Sequence, residues 1–391
     1  MLLRLKLLTV FIILTICLCA TADGEVLNSD VKQHEIDRLL ESAINHGLIS
    51  GGVVLIGDSR KDLFCRAYGR LSAAPDARPV ATDSLFDIAS LTKVVATAPS
   101  ILKLVGERKI SLVDPVSKWL PEFAGKGKDD LLIMHLLTHT SGLNDFEVTG
   151  GNALQSAIER SAARKSVKKP GSHFKYADIN FILLGELVRR VTGIGLDMYA
   201  AENIFIPLAM NDTGFNPSLE RAVRCAGSLN SDNSLLVGFV QDHTARLFDG
   251  VAGHAGLFST APDLSRFCRM VLNRGILDGQ RVLTARTVDL MTVPYFSHDN
   301  NVLRGLGWDI ASPFSSPRGD NFSEVSFGHT GYSGGSLWID PEAGIYVVLV
   351  TARLDYKRKR DFNKLRGDLS TIAASLFSSH KETKEFARKV E

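Results

Sequence analysis

The chain is poor in cysteine and carries almost no excess of charge of either sign. Its 391 residues include 5 cysteines, 45 basic residues and 43 acidic residues. So few cysteines exclude a small scaffold held together by disulfides. A nearly neutral chain also lacks the overall basic field with which proteins bind nucleic acid, so we expect no nucleic-acid partner.

Long apolar runs are scarce as well. The chain begins with Arg4 and Lys6, continues with the uncharged residues 7–20, and reaches the small-x-small sequence Ala20-Thr21-Ala22. This order predicts a secretory signal peptide over residues 1–22. Because the apolar run is shorter than the roughly 20 residues that span a bilayer, we expect a mature chain without a transmembrane helix, secreted across the inner membrane into the periplasm.

The cysteines divide between this leader and the remainder of the chain. Cys17 and Cys19 follow large apolar residues, whereas lipid attachment normally needs a small residue there; lipidation of either cysteine in place of removal stays open. Cys65, Cys225 and Cys268 remain after residue 22. At most one disulfide can therefore form, at least one thiol is left over, and the pairing is open.

The order of strand and helix patterns indicates an α+β fold. Strand-like runs lie near both ends of the chain, at residues 51–57, 63–68, 324–328, 335–340 and 344–351. Patterns with the helical period cover residues 31–47, 112–119, 132–137, 153–161, 181–191, 262–273 and 364–378. We therefore expect one antiparallel sheet formed from both chain ends, flanked by terminal helices, with a helical lobe inserted.

These patterns also suggest boundaries within the chain. We expect one domain over residues 23–379, followed by a charged tail at 380–391. Within the domain, the sheet lobe would cover about 28–89 and 305–379, and the helical lobe about 90–304. A site built by such a chain should lie in the cleft between the two lobes.

A serine stands three residues before a lysine at the start of an apolar helical pattern. Because residues i and i+3 share a face of a helix, Ser90 Oγ and Lys93 Nζ could lie within hydrogen-bonding distance. A lysine packed among apolar side chains tends to lose its proton and becomes a base, which a serine nucleophile needs. The alternative is that Ser90 caps the helix while Lys93 extends to solvent.

A tyrosine follows a Pro-Gly turn and precedes another helical pattern. Tyr176 could project from the turn into a cleft, where the neighbouring Lys175 would stabilise its phenolate as a base. The alternative makes Asp178 or Asn180 the N-cap of the helix and Tyr176 a hydrophobic staple.

The third candidate is the sequence His329-Thr330-Gly331-Tyr332-Ser333-Gly334-Gly335, which opens a strand near the end of the chain. Small residues there allow the edge of the strand to approach a substrate, and its backbone N–H groups can face an oxyanion. The alternative is a glycine-rich turn with no further role.

Taken in order, S-x-x-K, Y-x-(N/D) and (K/H)-T-G resemble the signature of the penicillin-recognising serine hydrolases. That family includes class C β-lactamases, D-alanyl-D-alanine carboxypeptidases and related carboxylesterases. The resemblance extends over roughly residues 30–378 and includes the stretches 135–143, 253–259 and 305–308.

The resemblance implies a role for each residue of the three motifs. Ser90 would attack a carbonyl with Lys93 as its base, and Tyr176 would pass the proton to the leaving group and activate the deacylating water. The backbone N–H groups of Ser90 and Tyr332 would form the oxyanion hole, beside Thr330 and Gly331. The resemblance implies neither a metal nor a cofactor.

Two positions depart from the β-lactamase pattern. Asp178 replaces an asparagine, so it cannot donate a hydrogen bond to a substrate carbonyl and would tend to keep Lys93 protonated. His329 replaces a lysine and would carry a charge for a substrate carboxylate only part of the time near neutral pH. Both changes disfavour efficient β-lactam hydrolysis, and residues 250–259 favour a peptidase-like member.

Two further patterns match other kinds of site. Residues 331–335 read G-x-S-x-G around Ser333, but a strand pattern follows where a nucleophile elbow needs a helix. His135 and His139 have the i, i+4 spacing of zinc ligands, yet no glutamate follows His135 and no third ligand is evident. We therefore expect the two histidines to serve capping and hydrogen bonding in the core.

The sequence thus predicts a serine hydrolase that forms an acyl-enzyme on Ser90. The first hypothesis is a D-alanyl-D-alanine carboxypeptidase or β-lactamase-related enzyme of the cell envelope, with a small molecule or a peptidoglycan peptide as substrate. A carboxylesterase is the alternative, and a homologue that binds without turnover is a third. The oligomeric state stays open.

Overall fold

The computed structural model describes residues 34–297 and 302–378. The expected signal peptide, Cys17, Cys19 and the tail at 380–391 lie outside the described residues. Within the described ranges, no helix combines the length and apolarity that crossing a bilayer requires.

The strands of the protein are β1 Ile49–Asp58, β2 Asp62–Gly69, β3 Phe86–Asp87, β4 Gly214–Phe215, β5 Ser228–Leu229, β6 Leu235–Leu236, β7 Leu257–Ser259, β8 Ile276–Leu277, β9 Gln280–Arg281, β10 Tyr295–Ser297, β11 Val302–Arg304, β12 Asp309–Ala311, β13 Phe327–Thr330, β14 Ser336–Asp340 and β15 Ile345–Arg353. The helices are α1, described over 34–45, α2 Ala98–Gly106, α3 Ile133–Leu137, α4 Ala153–Ala163, α5 Ile179–Thr192, α6 Leu196–Ala200, α7 Leu219–Ala222, α8 His243–Arg246, α9 Ala261–Leu272, α10 Ala285–Thr292 and α11 Lys359–Phe377.

An eight-stranded antiparallel sheet joins the two ends of the chain. Its order is β10-β11-β12-β13-β14-β15-β1-β2, and the central pair β1 and β15 runs from Ile49 opposite Arg353 to Asp58 opposite Ile345. The α+β architecture and the sheet formed from both ends are as the sequence predicted.

Both faces of the sheet are buried because the central strands carry apolar side chains on both of their sides. In β1, Val53 and Leu55 pack toward the helical lobe, whereas Val54 and Ile56 pack on the opposite side. This alternation follows from the two-residue period of a strand. The terminal helices α1 and α11 cover the second face, with Leu40 of α1 in the same apolar cluster.

A small three-stranded sheet joins the segment before Ser90 to two later segments of the helical lobe. β3 and β4 both pair with β7, so that Asp87 lies opposite Phe258. This pairing brings the residues that follow β3 against the loop that precedes β7, and it places Ser90 at the junction of the two lobes.

Three local predictions differ from the structure. Residues 112–119 form only a 3-10 turn at Val116–Lys118, because Pro115 holds an extended backbone in the middle of the helical pattern. The strand predicted at 324–328 starts at Phe327, after a turn in which Ser326 N–H donates to the Ser323 carbonyl. The large sheet begins with β10 and β11, so the expected boundary near residue 305 is too late.

The remaining cysteines are unpaired. Cys65 is exposed, Cys225 and Cys268 are buried, and all three carry free thiols within the described part of the chain.

Candidate active site

Ser90 lies on a tight turn between β3 and the helical segment that leads into α2. Residues Ala89–Leu91 form one 3-10 turn, and Ala89 before the serine adopts a left-handed φ of +46°. The carboxylate of Asp87 accepts a hydrogen bond from Ala89 N–H at 2.8 Å, which holds the turn. Ser90 is half-buried at the edge of a cavity.

Lys93 is completely buried, and each of the three N–H bonds of its ammonium group has an oxygen within reach. Lys93 Nζ lies 2.9 Å from Ser90 Oγ and 3.0 Å from the His254 carbonyl, and it forms an ion pair with Asp178 at 2.7 Å. The expected approach of Ser90 to Lys93 is confirmed, although the intervening residues form a 3-10 turn and a π-helical turn rather than a regular α-helix.

The ion pair with Asp178 agrees with the expectation that this carboxylate would keep Lys93 protonated. The other expectation, that an apolar environment would remove the Lys93 proton, is wrong. Burial acts in that direction, but the charge of Asp178 and the hydroxyl of Tyr176 outweigh it, so the pKa of Lys93 is raised above its ordinary value. The resting site therefore holds an ammonium group beside the serine, and a neutral lysine is the minor form.

Asp178 is available to Lys93 because another residue caps helix α5. The carboxylate of Asp145 accepts hydrogen bonds from the N–H groups of Asp178 at 3.0 Å and Ile179 at 2.9 Å. The capping role suggested for Asp178 is therefore taken by Asp145. Burial acts to raise the pKa of Asp178, but the Lys93 ammonium lowers it below the ordinary value, which keeps the carboxylate ionised.

Tyr176 is held between aromatic rings with its hydroxyl toward Ser90 and Lys93. Its ring stacks on His139 with centroids 4.4 Å apart and packs against Phe314 at 5.4 Å. Hydrogen bonds to Lys93 and Ser90 favour ionisation of the phenol, but burial dominates and raises the pKa of Tyr176. The expected phenolate is thus not supported, and the expected partner Lys175 is exposed to solvent.

Strand β13 places the third motif against the nucleophile turn. A Cβ on Gly331 would lie 2.4 Å from the Ile88 carbonyl, so only glycine allows this approach. His329 is buried and its Nδ1 lies 2.9 Å from the Thr330 carbonyl. Burial and the nearby charge of Arg304 hold the pKa of His329 well below its ordinary value, so the expected partial positive charge is wrong and the imidazole is neutral.

Two buried arginines that the sequence did not indicate line the cavity beside Ser90. This cavity has a volume of about 260 Å³ and is lined by Ser90, Tyr176, Tyr332, Arg353 and Arg366, among others. Neither arginine forms an ion pair within residues 34–297 and 302–378; Arg366 donates to the carbonyls of Gly331 and Gly335 at 2.6 and 2.8 Å, and Arg353 donates to that of Tyr332 at 3.1 Å.

Burial lowers the pKa of both guanidinium groups, and that of Arg366 falls to about 9. A cation removed from water without a counter-ion stabilises any carboxylate that enters beside it. The part of the cavity beside Arg353 and Arg366 is therefore suited to an anionic group of a ligand.

The G-x-S-x-G sequence around Ser333 and the histidine pair His135 and His139 have structural roles. Ser333 is buried and its Oγ donates to the Asp87 carbonyl at 2.5 Å, so it joins β13 to the nucleophile turn. Nδ1 of His135 accepts from Leu132 N–H at 3.1 Å, and His139 Nδ1 lies 3.2 Å from Ala177 N. Capping and core hydrogen bonding are thus confirmed for both histidines.

These features together define a serine hydrolase with the fold of the β-lactamases and penicillin-binding proteins. The chain belongs to the β-lactamase family: the family model described as Beta-lactamase matches residues 36–369.

Curated relatives cover most of the chain. An Escherichia coli K12 protein provisionally named a D-alanyl-D-alanine carboxypeptidase is 30% identical over 357 residues, which is 81% of each chain. A Bacillus subtilis 168 protein named N-acetylmuramyl-L-alanine amidase is 30% identical over 362 residues, 83% of this chain and 81% of that protein.

Solved structures agree on the fold. The penicillin-binding protein homologue from Caulobacter crescentus has a TM-score of 0.74 and 22% identity, with 88% of this chain and 97% of that chain covered. The α+β fold with a helical lobe inserted into an antiparallel sheet is therefore the family's fold.

Proposed function

We propose that the protein is a D-alanyl-D-alanine carboxypeptidase of the bacterial cell envelope that forms an acyl-enzyme on Ser90. One observation carries this choice within the family: the cavity lined by Ser90 is also lined by Arg353 and Arg366, two buried cations that form no ion pair among the described residues. A peptide that ends in D-alanine brings a carboxylate a few ångströms from the bond to be cut. The names of the two curated relatives support a cell-wall peptide as substrate.

Acylation would start from the minor form in which Lys93 is neutral. Ser90 gives its proton to Lys93 Nζ, and its Oγ forms a bond to the substrate carbonyl carbon. The N–H groups of Ser90 and Tyr332, on a rim that includes Thr330 and Gly331, would stabilise the resulting oxyanion.

Collapse of this intermediate breaks the C–N bond. The proton passes from Lys93 through the Tyr176 hydroxyl to the leaving nitrogen, which departs as D-alanine. In the second half, Tyr176 and Lys93 take a proton from a water whose oxygen bonds to the acyl carbon. The bond between that carbon and Ser90 Oγ then breaks, and Oγ regains the proton. Ser90, Lys93 and Tyr176 lie in one hydrogen-bonded cluster, which supports the assignment.

The proposed location follows from the leader rather than from the fold. Removal of residues 1–22 as a signal peptide would deliver the mature chain to the periplasm, where its substrate is found. The mature chain would then meet peptidoglycan stem peptides or soluble fragments of them.

A carboxylesterase remains the second candidate function, because the same nucleophile and base would cleave an ester. The absence of a fixed cation at His329 favours it, since an ester substrate needs no counter-charge. A homologue that binds without turnover is the weakest candidate, because Ser90, Lys93 and Tyr176 are all present and in contact.

The deciding experiment compares three acyl donors that differ only at the leaving group. An acylated D-Ala-D-Ala peptide, its C-terminal amide and a matched short ester are offered to the mature protein, with Ser90→Ala as control. The proposal predicts cleavage of the free acid at least about tenfold faster than of the amide, since a charge-assisted hydrogen bond contributes roughly 1.5–3 kcal/mol. Equal rates for acid and amide, with a faster ester, would establish the esterase instead.

Intact-protein mass spectrometry after incubation with a benzylpenicillin-type β-lactam supplies the second readout. An adduct on the wild-type chain that is missing from Ser90→Ala would identify the nucleophile. Absence of an adduct from the wild-type chain, together with absence of turnover of all three donors, would overturn the assignment of a hydrolase site at Ser90.

A further inference from the structure

A second polar pair lies beside Lys93 and has no part in the mechanism above. His254 Nε2 is 2.9 Å from the Oδ1 atom of Asp242, and the His254 side chain is only 2% exposed. Asp178, Asp242 and His254 each bring one side-chain atom into a group whose members lie within 4.8 Å of one another. The pair thus adjoins the carboxylate that binds Lys93.

The backbone connects the pair to the lysine directly. The His254 carbonyl accepts a hydrogen bond from Lys93 Nζ at 3.0 Å, and the Gly253 carbonyl accepts one from Thr97 Oγ1 at 2.6 Å. These two bonds fix residues 253–254 against the helical turn that carries Lys93. A movement of His254 would therefore move one of the three acceptors of the ammonium group.

Asp242 is fixed in turn by the segment around it. Its Oδ1 atom accepts from Ala245 N–H at 2.7 Å and caps α8. The preceding residue, Gln241, donates its N–H to Asp87 at 2.7 Å, and Asp87 also holds the nucleophile turn. The pair is thus anchored to the same carboxylate that shapes the turn of Ser90.

We propose that Asp242 and His254 form a positioning pair for the Lys93–Asp178 ion pair: Asp242 fixes the histidine whose carbonyl binds Lys93, and it places a second negative charge beside Asp178. Neither residue touches the cavity in which substrate would bind. The consequence of this pair for catalysis rests on the proposed function. Its effect on the protonation of Lys93 does not depend on turnover.

The charges around the pair set the direction of that effect. Burial acts to raise the pKa of Asp242, but the hydrogen bond and charge of His254, the Ala245 N–H group and the Lys93 ammonium hold it well below its ordinary range. The charge of Asp242 in turn opposes ionisation of Asp178 and of Asp87, and Arg246 offsets part of it at Asp87. Asp242 is therefore a fixed negative charge that helps to keep the proton on Lys93.

The test uses substitutions that separate charge from packing. Asp242→Asn keeps an oxygen to cap α8 but removes the charge. Because the ammonium form of Lys93 then loses a counter-charge, we expect the ascending limb of the pH profile of kcat/KM to move to lower pH by at least about half a unit, with KM unchanged. Asp340→Asn is the control: Asp340, like Asp242, is a carboxylate that accepts backbone N–H groups, but those belong to Ser323, Glu342 and Ala343.

Two substitutions test His254: one removes its hydrogen bond to Asp242, and the other restores a donor at that position. His254→Leu leaves Asp242 without its side-chain donor and should lower kcat about tenfold, whereas His254→Gln supplies an N–H donor and should recover most of that loss. Equal activities of the Leu and Gln variants would argue for packing alone and overturn the positioning role.

A direct titration of Lys93 separates this inference from the proposed function. The ¹³Cε signal of Lys93 in lysine-labelled protein, assigned with Lys93→Arg, reports the protonation of the amine without any substrate. Its midpoint should fall in Asp242→Asn and stay unchanged in Asp340→Asn. An unchanged midpoint in Asp242→Asn overturns the inference, whether or not the wild-type protein hydrolyses a D-Ala-D-Ala peptide.

Discussion

Lys93 Nζ lies 2.7 Å from the carboxylate of Asp178, and the lysine side chain is completely buried. This ion pair favours the protonated form of the group that we propose as the base. Burial alone would lower the pKa of the lysine, but Asp178 and Tyr176 raise it, so activity should increase with pH as the neutral amine becomes more abundant.

Asp178→Asn tests this control of the base. Removing the carboxylate leaves burial as the dominant influence on Lys93, so its pKa should fall. We expect the ascending limb of kcat/KM to move to lower pH by at least about one unit. An asparagine also donates a hydrogen bond to a substrate carbonyl, so acylation by a β-lactam should become faster, as measured by the rate of adduct formation on the intact protein.

The substitution should leave helix α5 in place, because Asp145 and not Asp178 caps that helix. Far-ultraviolet circular dichroism and the melting temperature are the controls. If the ascending limb of the kcat/KM profile keeps its wild-type pH in a folded Asp178→Asn protein, the limb reports the titration of a group other than Lys93.

Arg353→Gln tests whether the cavity recognises a carboxylate. The glutamine keeps an N–H donor for the Tyr332 carbonyl but removes the buried charge. The ratio of kcat/KM for a D-Ala-D-Ala peptide to that for its C-terminal amide should fall about tenfold, because only the acid loses a charge-assisted contact.

Both kcat/KM values come from the same sample, so their ratio is unaffected by any loss of active protein. Arg281→Gln is the matched control, since Arg281 donates to the carbonyls of Arg274 and Leu283 and does not line the cavity. A ratio unchanged by Arg353→Gln would assign the carboxylate contact to another group.

The sequence predicts those parts of the site that depend on short distances along the chain. Ser90 and Lys93 are three residues apart, so their approach follows from any helical turn. The central strands β1 and β15 and the helix α5 were predicted within a few residues, because their apolar periods are long and regular.

The neutral state of His329 and the two arginines of the cavity could not be predicted in the same way, because they depend on contacts between distant segments. His329 stays neutral through burial near Arg304, whereas the effect of Asp178 on the Lys93 proton was expected from the departure of residue 178 from the β-lactamase pattern. Arg353 and Arg366 come to the cavity only when β15 pairs with β14 and α11 packs against β15. In the sequence, no local pattern distinguishes these two buried arginines from arginines on the surface.

His139→Asn tests the support of Tyr176. The His139 ring stacks on the Tyr176 ring at 4.4 Å, and residue 139 has a left-handed φ of +55°, which asparagine tolerates well. The substitution therefore preserves the backbone and removes the stacking surface. We expect kcat to fall about tenfold with little change in KM, because Tyr176 loses its fixed orientation toward the leaving group.

His135→Asn provides the control for this prediction, since His135 caps α3 and makes no ring contact with Tyr176 within the described ranges. A rise in KM without a change in kcat would instead place His139 in substrate binding.

Asp87→Asn tests the carboxylate that joins the nucleophile turn to Gln241. Burial raises the pKa of Asp87 from 3.8 to about 6, while its hydrogen bonds from Gln241 and Ala89 act in the opposite direction. Between these two values the folded protein binds more protons than the unfolded chain at this position. The contribution of Asp87 to the free energy of unfolding is therefore full below about pH 4, declines as the pH rises to about 6, and is lost above that.

The asparagine does not titrate, so the variant should lack this decline. The difference between the unfolding free energies of wild type and Asp87→Asn, measured by urea denaturation from pH 4 to pH 8, should decrease with rising pH by an amount on the order of 3 kcal/mol. Because one carboxamide oxygen replaces two acceptor oxygens, the variant also loses a hydrogen bond at every pH, and this adds a constant offset without a slope. A difference that is constant from pH 4 to pH 8 would mean that Asp87 is ionised throughout this range in the folded protein. The turn of Ser90 would then be held by a permanent carboxylate rather than by one that gains a proton near pH 6.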